Sequence, residues 1–277
     1  MNNDIRVLDC LLNRGADKGL LKKHGAILIT RAARHNKIVH LKRLTDLGIS
    51  INSTTNYGTS PLISAIYSGD TSTIDYVLSL NADPSLSTPL GTYPLMAAAY
   101  MGDTATIGKL LSRGADINRQ TEYLGAPIHV ACERGLYKTV EYLIAHGAKF
   151  NVPAAYGDTP FIAAVTAGPR SLALSRLSRI EKDIVVASMP GGRNIKVEAP
   201  SEDFKKLTEI LLQKGANVNE TSLRGETGLL RATLLKNIPM VQLLLKYGAN
   251  PDQPDNAGTT PRIAAQHFKY NESQALF

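Results

Sequence analysis

The sequence predicts an all-α solenoid of helix–turn–helix units joined by hairpin-like loops, and three observations carry that reading. A leucine-rich run closing on Gly-Ala-Asp or a near variant returns along the chain, its glycine position falling at Gly15, Gly48, Asn81, Gly114, Gly147, Gly215 and Gly248. Every step is 33 residues except one of 68. Proline recurs at a second fixed phase, at Pro61, Pro94, Pro127, Pro160 and Pro261. Alanine follows four residues after that phase at Ala65, Ala98, Ala131, Ala164 and Ala232, and three residues after it at Ala264. A fixed period of this length marks stacked supersecondary units, none of which can bury its apolar face alone.

Each element of the unit has a physical reason. Proline fits the first turn of a helix, where its missing N–H is not needed. Alanine on the packing side lets two helices approach closely. Gly69, Gly102, Gly135 and Gly168, eight residues after the proline, end the first helix. The leucine run is the second helix, and its closing glycine suits a left-handed terminus. The polar stretch up to the next proline, such as 116–126, reads as an extended hairpin-like loop. Asn52, Asn118, Asn151 and Asn219 keep one phase there and are expected to hold backbone turns. The phrases Gly58-Thr59-Ser60-Pro61-Leu62, Gly125-Ala126-Pro127-Ile128-His129-Val130-Ala131 and Gly157-Asp158-Thr159-Pro160-Phe161 each lie at a fixed distance from such a close. With them, nearly the whole chain resembles an ankyrin-repeat protein.

The phases divide a single domain, 1–277. Residues 1–17 supply only a second helix and read as a partial N-terminal cap. Repeats follow at 18–52, 53–85, 86–118, 119–151, 152–219 and 220–252. Residues 253–277 form a partial C-terminal repeat, which either ends in a short capping helix or stops inside a longer protein. The unit 18–52 carries Leu28 at the proline phase and many charges, as a capping repeat should. The unit 220–252 has Gly228 at that phase and Pro239 at the start of its second helix. The 68-residue interval holds one good first helix at 156–168 and one good second helix at 204–219. An insertion at 169–203 therefore separates the two helices of one repeat. Within it Leu174, Leu177, Ile180 and Ile184 have helical spacing, and the stretches 184–187 and 195–197 flank Pro190-Gly191-Gly192 as a β-hairpin. The insertion is expected to project from the rim opposite the loop fingers.

Composition narrows the function classes. Of the 277 residues, 43 % are hydrophobic, too many for a disordered chain. No apolar stretch reaches the roughly 18 residues of a membrane span. The first residues carry an acid before a short apolar run, so no signal peptide is expected. Cys10 and Cys132 form no ligand spacing, which suits a reduced, intracellular setting, cytoplasmic or nuclear. His129 and Cys132 lie three apart on one helix, but the resemblance gives His129 a packing role, and no catalytic residue, metal site, cofactor or small-molecule substrate is expected. His24, His35 and His40 lack close carboxylate or thiol companions, and Gly191-Gly192-Arg193 lacks phosphate-loop spacing.

What remains is surface. The resemblance implies partner binding through the loop fingers and the exposed side of the first helices. Residues flanking the loop glycines, and those six and seven after the proline phase, sample that surface. They nominate Tyr57, Tyr67, Tyr100, Met101, Tyr123, Leu124, Arg134, Tyr156 and Arg224 as a concave, tyrosine-bearing contact face for a protein partner. The expected function is a non-enzymatic interaction scaffold or adaptor. One alternative is a targeting module of a larger enzyme or of a bacterial effector secreted into a host cell. A second alternative rests on charge. The net charge is +7, and the basic N-terminal repeats offer Lys22, Lys23, Arg31, Arg34, Lys37, Lys42 and Arg43 to nucleic acid or an acidic membrane surface.

Overall fold

The computed structural model describes residues 18–122, 124–154, 157–166 and 201–267. They hold thirteen α-helices and no strand. First helices of the repeats are α1 (Lys18–Arg34), α3 (Pro61–Ser68), α5 (Pro94–Met101), α7 (Pro127–Glu133), α9 (Pro160–Thr166), α11 (Gly228–Leu234) and α13 (Pro261–His267). Second helices are α2 (Ile38–Asp46), α4 (Thr71–Ser79), α6 (Thr104–Leu111), α8 (Tyr137–Ala145), α10 (Ser201–Gln213) and α12 (Ile238–Lys246). The described residues form two compact units, one of 18–101 with 105–115, the other of 102–104 with the described part of 116–267. The expected cap at 1–17, the helix and hairpin within 169–200, and the stretch 268–277 lie outside the described residues.

In the first unit α3 packs on α1, α4 and α5. In the second, α9 packs on α7, α10 and α11, while α11 packs on α12 and α13. First helices are thus a middle layer, and from Pro61 to Tyr67, from Pro94 to Tyr100 and from Pro160 to Thr166 every residue is buried. The alanine phase is fully covered at Ala65, Ala98, Ala131, Ala164 and Ala232. Second helices bury one stripe only: α8 buries Thr139, Val140 and Leu143 and exposes the rest in part.

The hydroxyl before the proline phase caps the first helix. Ser60 Oγ accepts from the Ile63 N–H at 3.2 Å, and Thr227 Oγ1 from the Leu230 N–H at 3.1 Å. The Gly-Ala close is a Schellman turn: the Gly147 N–H donates to Ile144 O and the Ala148 N–H to Leu143 O. Gly147 has φ 93°, and Asn81, at the same phase, takes φ 56° with no glycine. Asn36 and Lys236 likewise adopt φ 58° and 61° at the turn between helices that Gly69, Gly102 and Gly135 occupy elsewhere. Gly228 stands at the proline phase of its unit, where a Cβ would come within 3.1 Å of the Phe161 ring of the preceding first helix.

The loops are hairpin-like, with isolated antiparallel bridges at Thr121–Gly125 and Thr221–Thr227. One detail departs from expectation: the side chains of Asn52, Asn118 and Asn219 do not hold their own turns but reach the next repeat. Asn118 Oδ1 accepts from the Lys149 N–H at 2.8 Å, and its Nδ2 donates to Gly147 O at 3.1 Å. Asn219 binds Asn250 and Gly248 in the same way, and Asn52 Oδ1 accepts from the Asp83 N–H. The local turns fall instead to Asp116 and Asn217, whose carbonyl-type oxygens accept the N–H two residues on. The second helix of this repeat, α10, starts at Ser201, three residues before the expected Phe204.

Candidate functional site: finger turns and first-helix ends

The loop fingers repeat one hydrogen-bonding scheme. The Gly58 N–H donates to Thr55 O at 2.8 Å while the Thr55 N–H donates to Thr59 O at 3.1 Å. Ser222, Gly225 and Glu226 repeat it, as do Asp255, Gly258 and Thr259. Gly58 has φ 71°, and a Cβ there would lie 2.7 Å from Pro89 Cδ, so only glycine lets the neighbouring finger come so near. These turns are therefore stiff, and the side chains on their tips stand out from a fixed backbone. Tyr57 is 63 % exposed and Leu223 70 %. Arg224 is exposed and Leu124 half-buried. Tyr123 and Tyr156 lie outside the described residues.

The first-helix ends differ from the expected face. Tyr67 is 4 % exposed and Tyr100 9 %, their rings meeting edge to face with centroids 6.3 Å apart. The Arg34 guanidinium lies 5.9 Å from the Tyr67 ring centroid. Burial first, then the neighbouring Tyr100, push the Tyr67 hydroxyl far up, so it stays protonated. These two tyrosines pack adjacent repeats together rather than presenting a surface. The cause is the middle-layer position of the first helices, which covers even the residue six after the proline. Met101 and Arg134, next to the helix ends, are half-buried. In the unit with Gly228 the same phase is apolar and open, with Leu234 41 % and Leu235 55 % exposed.

His129 and Cys132 are also packing residues. His129 Nδ1 accepts from the Ala126 N–H at 3.1 Å, and its Nε2 faces Val152 O at 3.0 Å, which fixes the proton on Nε2. Ala126 has no hydroxyl to accept the His129 N–H, which donates to Ala126 O at 3.0 Å instead. Burial drops the His129 pKa to about 4. Cys132 is fully buried, and burial pushes its thiol up, away from the nucleophilic thiolate. Neither side chain has a free group to offer a substrate.

A buried ion cluster escaped the sequence reading. Arg231, 7 % exposed, donates from Nη2 to Asp158 Oδ1 at 2.8 Å and from Nε to Glu226 Oε2 at 3.0 Å. Burial alone would lower the guanidinium pKa, but the two carboxylates outweigh it and raise it. Nearby, Thr159 Oγ1 donates to Glu220, whose carboxyl is raised by burial. Asp158 and Glu226 each follow a loop glycine, and Arg231 sits where other repeats place Ser64, Ala97, Val130 and Ala163. An arginine at a small-residue phase was the legible signal.

Of the basic N-terminal residues, Lys23, Arg31 and Lys42 are exposed, Arg34, Lys37 and Arg43 are half-buried, and Lys22 falls on α1. No described helix is long and apolar enough to cross a membrane.

Comparison with known proteins agrees with this architecture. A family pattern described as "Ankyrin repeats (3 copies)" matches residues 1–88 and 90–179, and "Ankyrin repeat" matches 224–256. A potassium channel, AKT1 of Oryza sativa subsp. indica, is 35 % identical over 79 residues, 28 % of this chain and 8 % of the channel. Ankyrin repeat domain-containing protein 63 of Homo sapiens is 30 % identical over 109 residues, 38 % of this chain and 29 % of that protein. The chain therefore spans less than a third of these relatives. Among solved structures, the human ASB11 ankyrin repeat domain superposes with TM-score 0.66 at 26 % identity, over 90 % of this chain and 95 % of that one. The ankyrin repeat domain of Bcl-3 gives 0.62 at 21 % identity, over 86 % and 93 %. Ankyrin repeats generally mediate protein–protein interaction and are typically non-enzymatic modules. The repeat phases, the turn geometry and these matches agree, and the chain belongs to the ankyrin-repeat family.

Proposed function

We propose that this chain is a non-enzymatic protein-interaction scaffold that holds its partner on the finger tips and the adjoining ends of the first helices. The observation that carries this reading is the pairing of rigid turns with open apolar tips at Tyr57 and Leu223. Burying such a side chain against a partner gains apolar area with little backbone left to order. Met101 in the first unit, and Leu124, Arg134 and Arg224 in the second, supply further apolar and polar contacts. Tyr67 and Tyr100 serve the same surface indirectly, by fixing the repeats that carry it.

Affinity capture from the native cells, scored by quantitative mass spectrometry, tests this. Tyr57→Ala with Leu223→Ala should lose the partners held by the wild type while melting at an unchanged temperature. Tyr67→Ala should instead cost roughly 3 kcal/mol of stability, as expected for emptying a buried aromatic site. An identical partner set for the finger variant and the wild type would overturn the reading.

A second reading has one observation behind it. The stretch matched in the rice channel is 8 % of that protein. On that reading the array is the address module of a larger protein, and its partner specifies location rather than activity. Partners that are all fixed components of one compartment would favour it.

A further inference from the structure

At 3.6 residues per turn, Lys23, His24, Ile27, Leu28 and Arg31 share one face of α1, and all five are exposed. Lys23, Ile27 and Arg31 run along it at four-residue steps, with His24 and Leu28 beside them. The opposite face, with Gly25, Ile29, Ala32 and Ala33, is buried. Ile27 is 42 % and Leu28 38 % exposed, so they form an apolar floor between longer cationic side chains. Residues 18–50 hold Lys18, Lys22, Lys23, Arg31, Arg34, Lys37, Lys42 and Arg43 against Asp46 alone. Eight cations less one acid is +7, equal to the formal charge of the whole chain. Neither Lys23 nor Arg31 makes an ion pair among the described residues.

We propose that this face of α1 binds an acidic, apolar-bearing segment of a protein partner. Carboxylates of the segment meet Lys23 and Arg31, and its apolar side chains cover Ile27 and Leu28. Each half of the surface selects the occupant. Uncompensated cations call for carboxylates or phosphates, and the apolar floor calls for side chains that can reach down to it. A bilayer is met by apolar groups that reach past the cations, whereas isoleucine and leucine are shorter side chains than lysine and arginine. A nucleic acid would leave the floor uncovered, and the face has no aromatic ring on which bases could stack. The surface is separate from the finger turns and does not rest on them.

Fluorescence anisotropy with labelled synthetic helices tests the assignment, using the full chain. One probe carries Glu and Leu at helical spacing, the other has every Glu replaced by Lys. The chain should bind the Glu/Leu helix and not the Lys/Leu helix, with affinity that falls as salt is raised. Lys23→Glu with Arg31→Glu should weaken the Glu/Leu helix by about tenfold or more and create binding of the Lys/Leu helix. Lys149→Glu with Lys214→Glu should leave the Glu/Leu affinity unchanged. Equal binding of both helices by the wild type, or an affinity untouched by the Lys23/Arg31 reversal, would overturn the proposal. So would preference for phosphatidylserine vesicles or oligouridylate over the Glu/Leu helix. Loss of the Glu/Leu helix in the Tyr57→Ala, Leu223→Ala variant would move the site to the fingers, ending this proposal while leaving the scaffold reading in place.

Discussion

His129 is both the packing piece and the titratable weak point of its repeat. Its two ring nitrogens are held by the Ala126 N–H and Val152 O, and burial keeps the ring neutral. In the unfolded chain the ring titrates near 6.5, in the folded one near about 4. Between those values the unfolded state binds the proton and the folded state does not. Stability is therefore complete above pH about 6.5 and is lost as the pH falls toward about 4. Going from pH 7 to pH 5, urea unfolding of the wild type should lose roughly 2 kcal/mol more than that of His129→Gln. Equal losses would show that the ring does not titrate in this window. Tyr67 and Tyr57 make a related contrast. Both lie near first helices and are the same residue type, yet one is sealed between repeats and the other stands on a turn tip. Phase in the sequence separates them from the leucine and alanine core, but burial depends on what the neighbouring repeat brings.

At the scale of elements, each repeat is closed by groups from two repeats. The Schellman turn after a second helix satisfies its own last carbonyls, and the asparagine of the preceding loop reaches across to clamp it. Asn118→Ala removes one acceptor and one donor from the turn after α8, and should cost about 1 to 2 kcal/mol in urea unfolding. An unchanged midpoint would mean that water replaces both bonds fully. Helices, caps and closing turns were legible because each depends on residues within a few positions of one another. The asparagine tie was not, because its partner lies 31 residues on. The phase alone could not say whether the side chain turned inward or onward.

At the scale of the molecule, stability in a repeat array is a sum of units and of contacts between neighbours. The Arg231 cluster is one such contact: it ties Asp158, two residues before α9, to α11, 73 residues later, across the stretch that breaks the repeat. Arg231→Met leaves the Asp158 carboxylate without its guanidinium and should cost roughly 3 kcal/mol. Hydrogen exchange should then rise in α9, α10 and α11 while α3 and α4 keep their protection. A uniform rise across all helices would mean that the chain unfolds as one block and that local coupling does not govern it.

The sequence by itself determined the family architecture, the places of the helices and the residues of the turns, since all of these follow from a period and from chemistry within a single unit. It also placed a charge of +7 in the single repeat 18–52. The tertiary structure decided which variable residues face solvent. First helices lie between neighbours on most sides, so tyrosines at a variable phase became packing at Tyr67 and Tyr100. The turn tips, held out by glycine and backbone hydrogen bonds, left Tyr57 and Leu223 open. Exposure is a property of two repeats in contact, and no single repeat's sequence contains it.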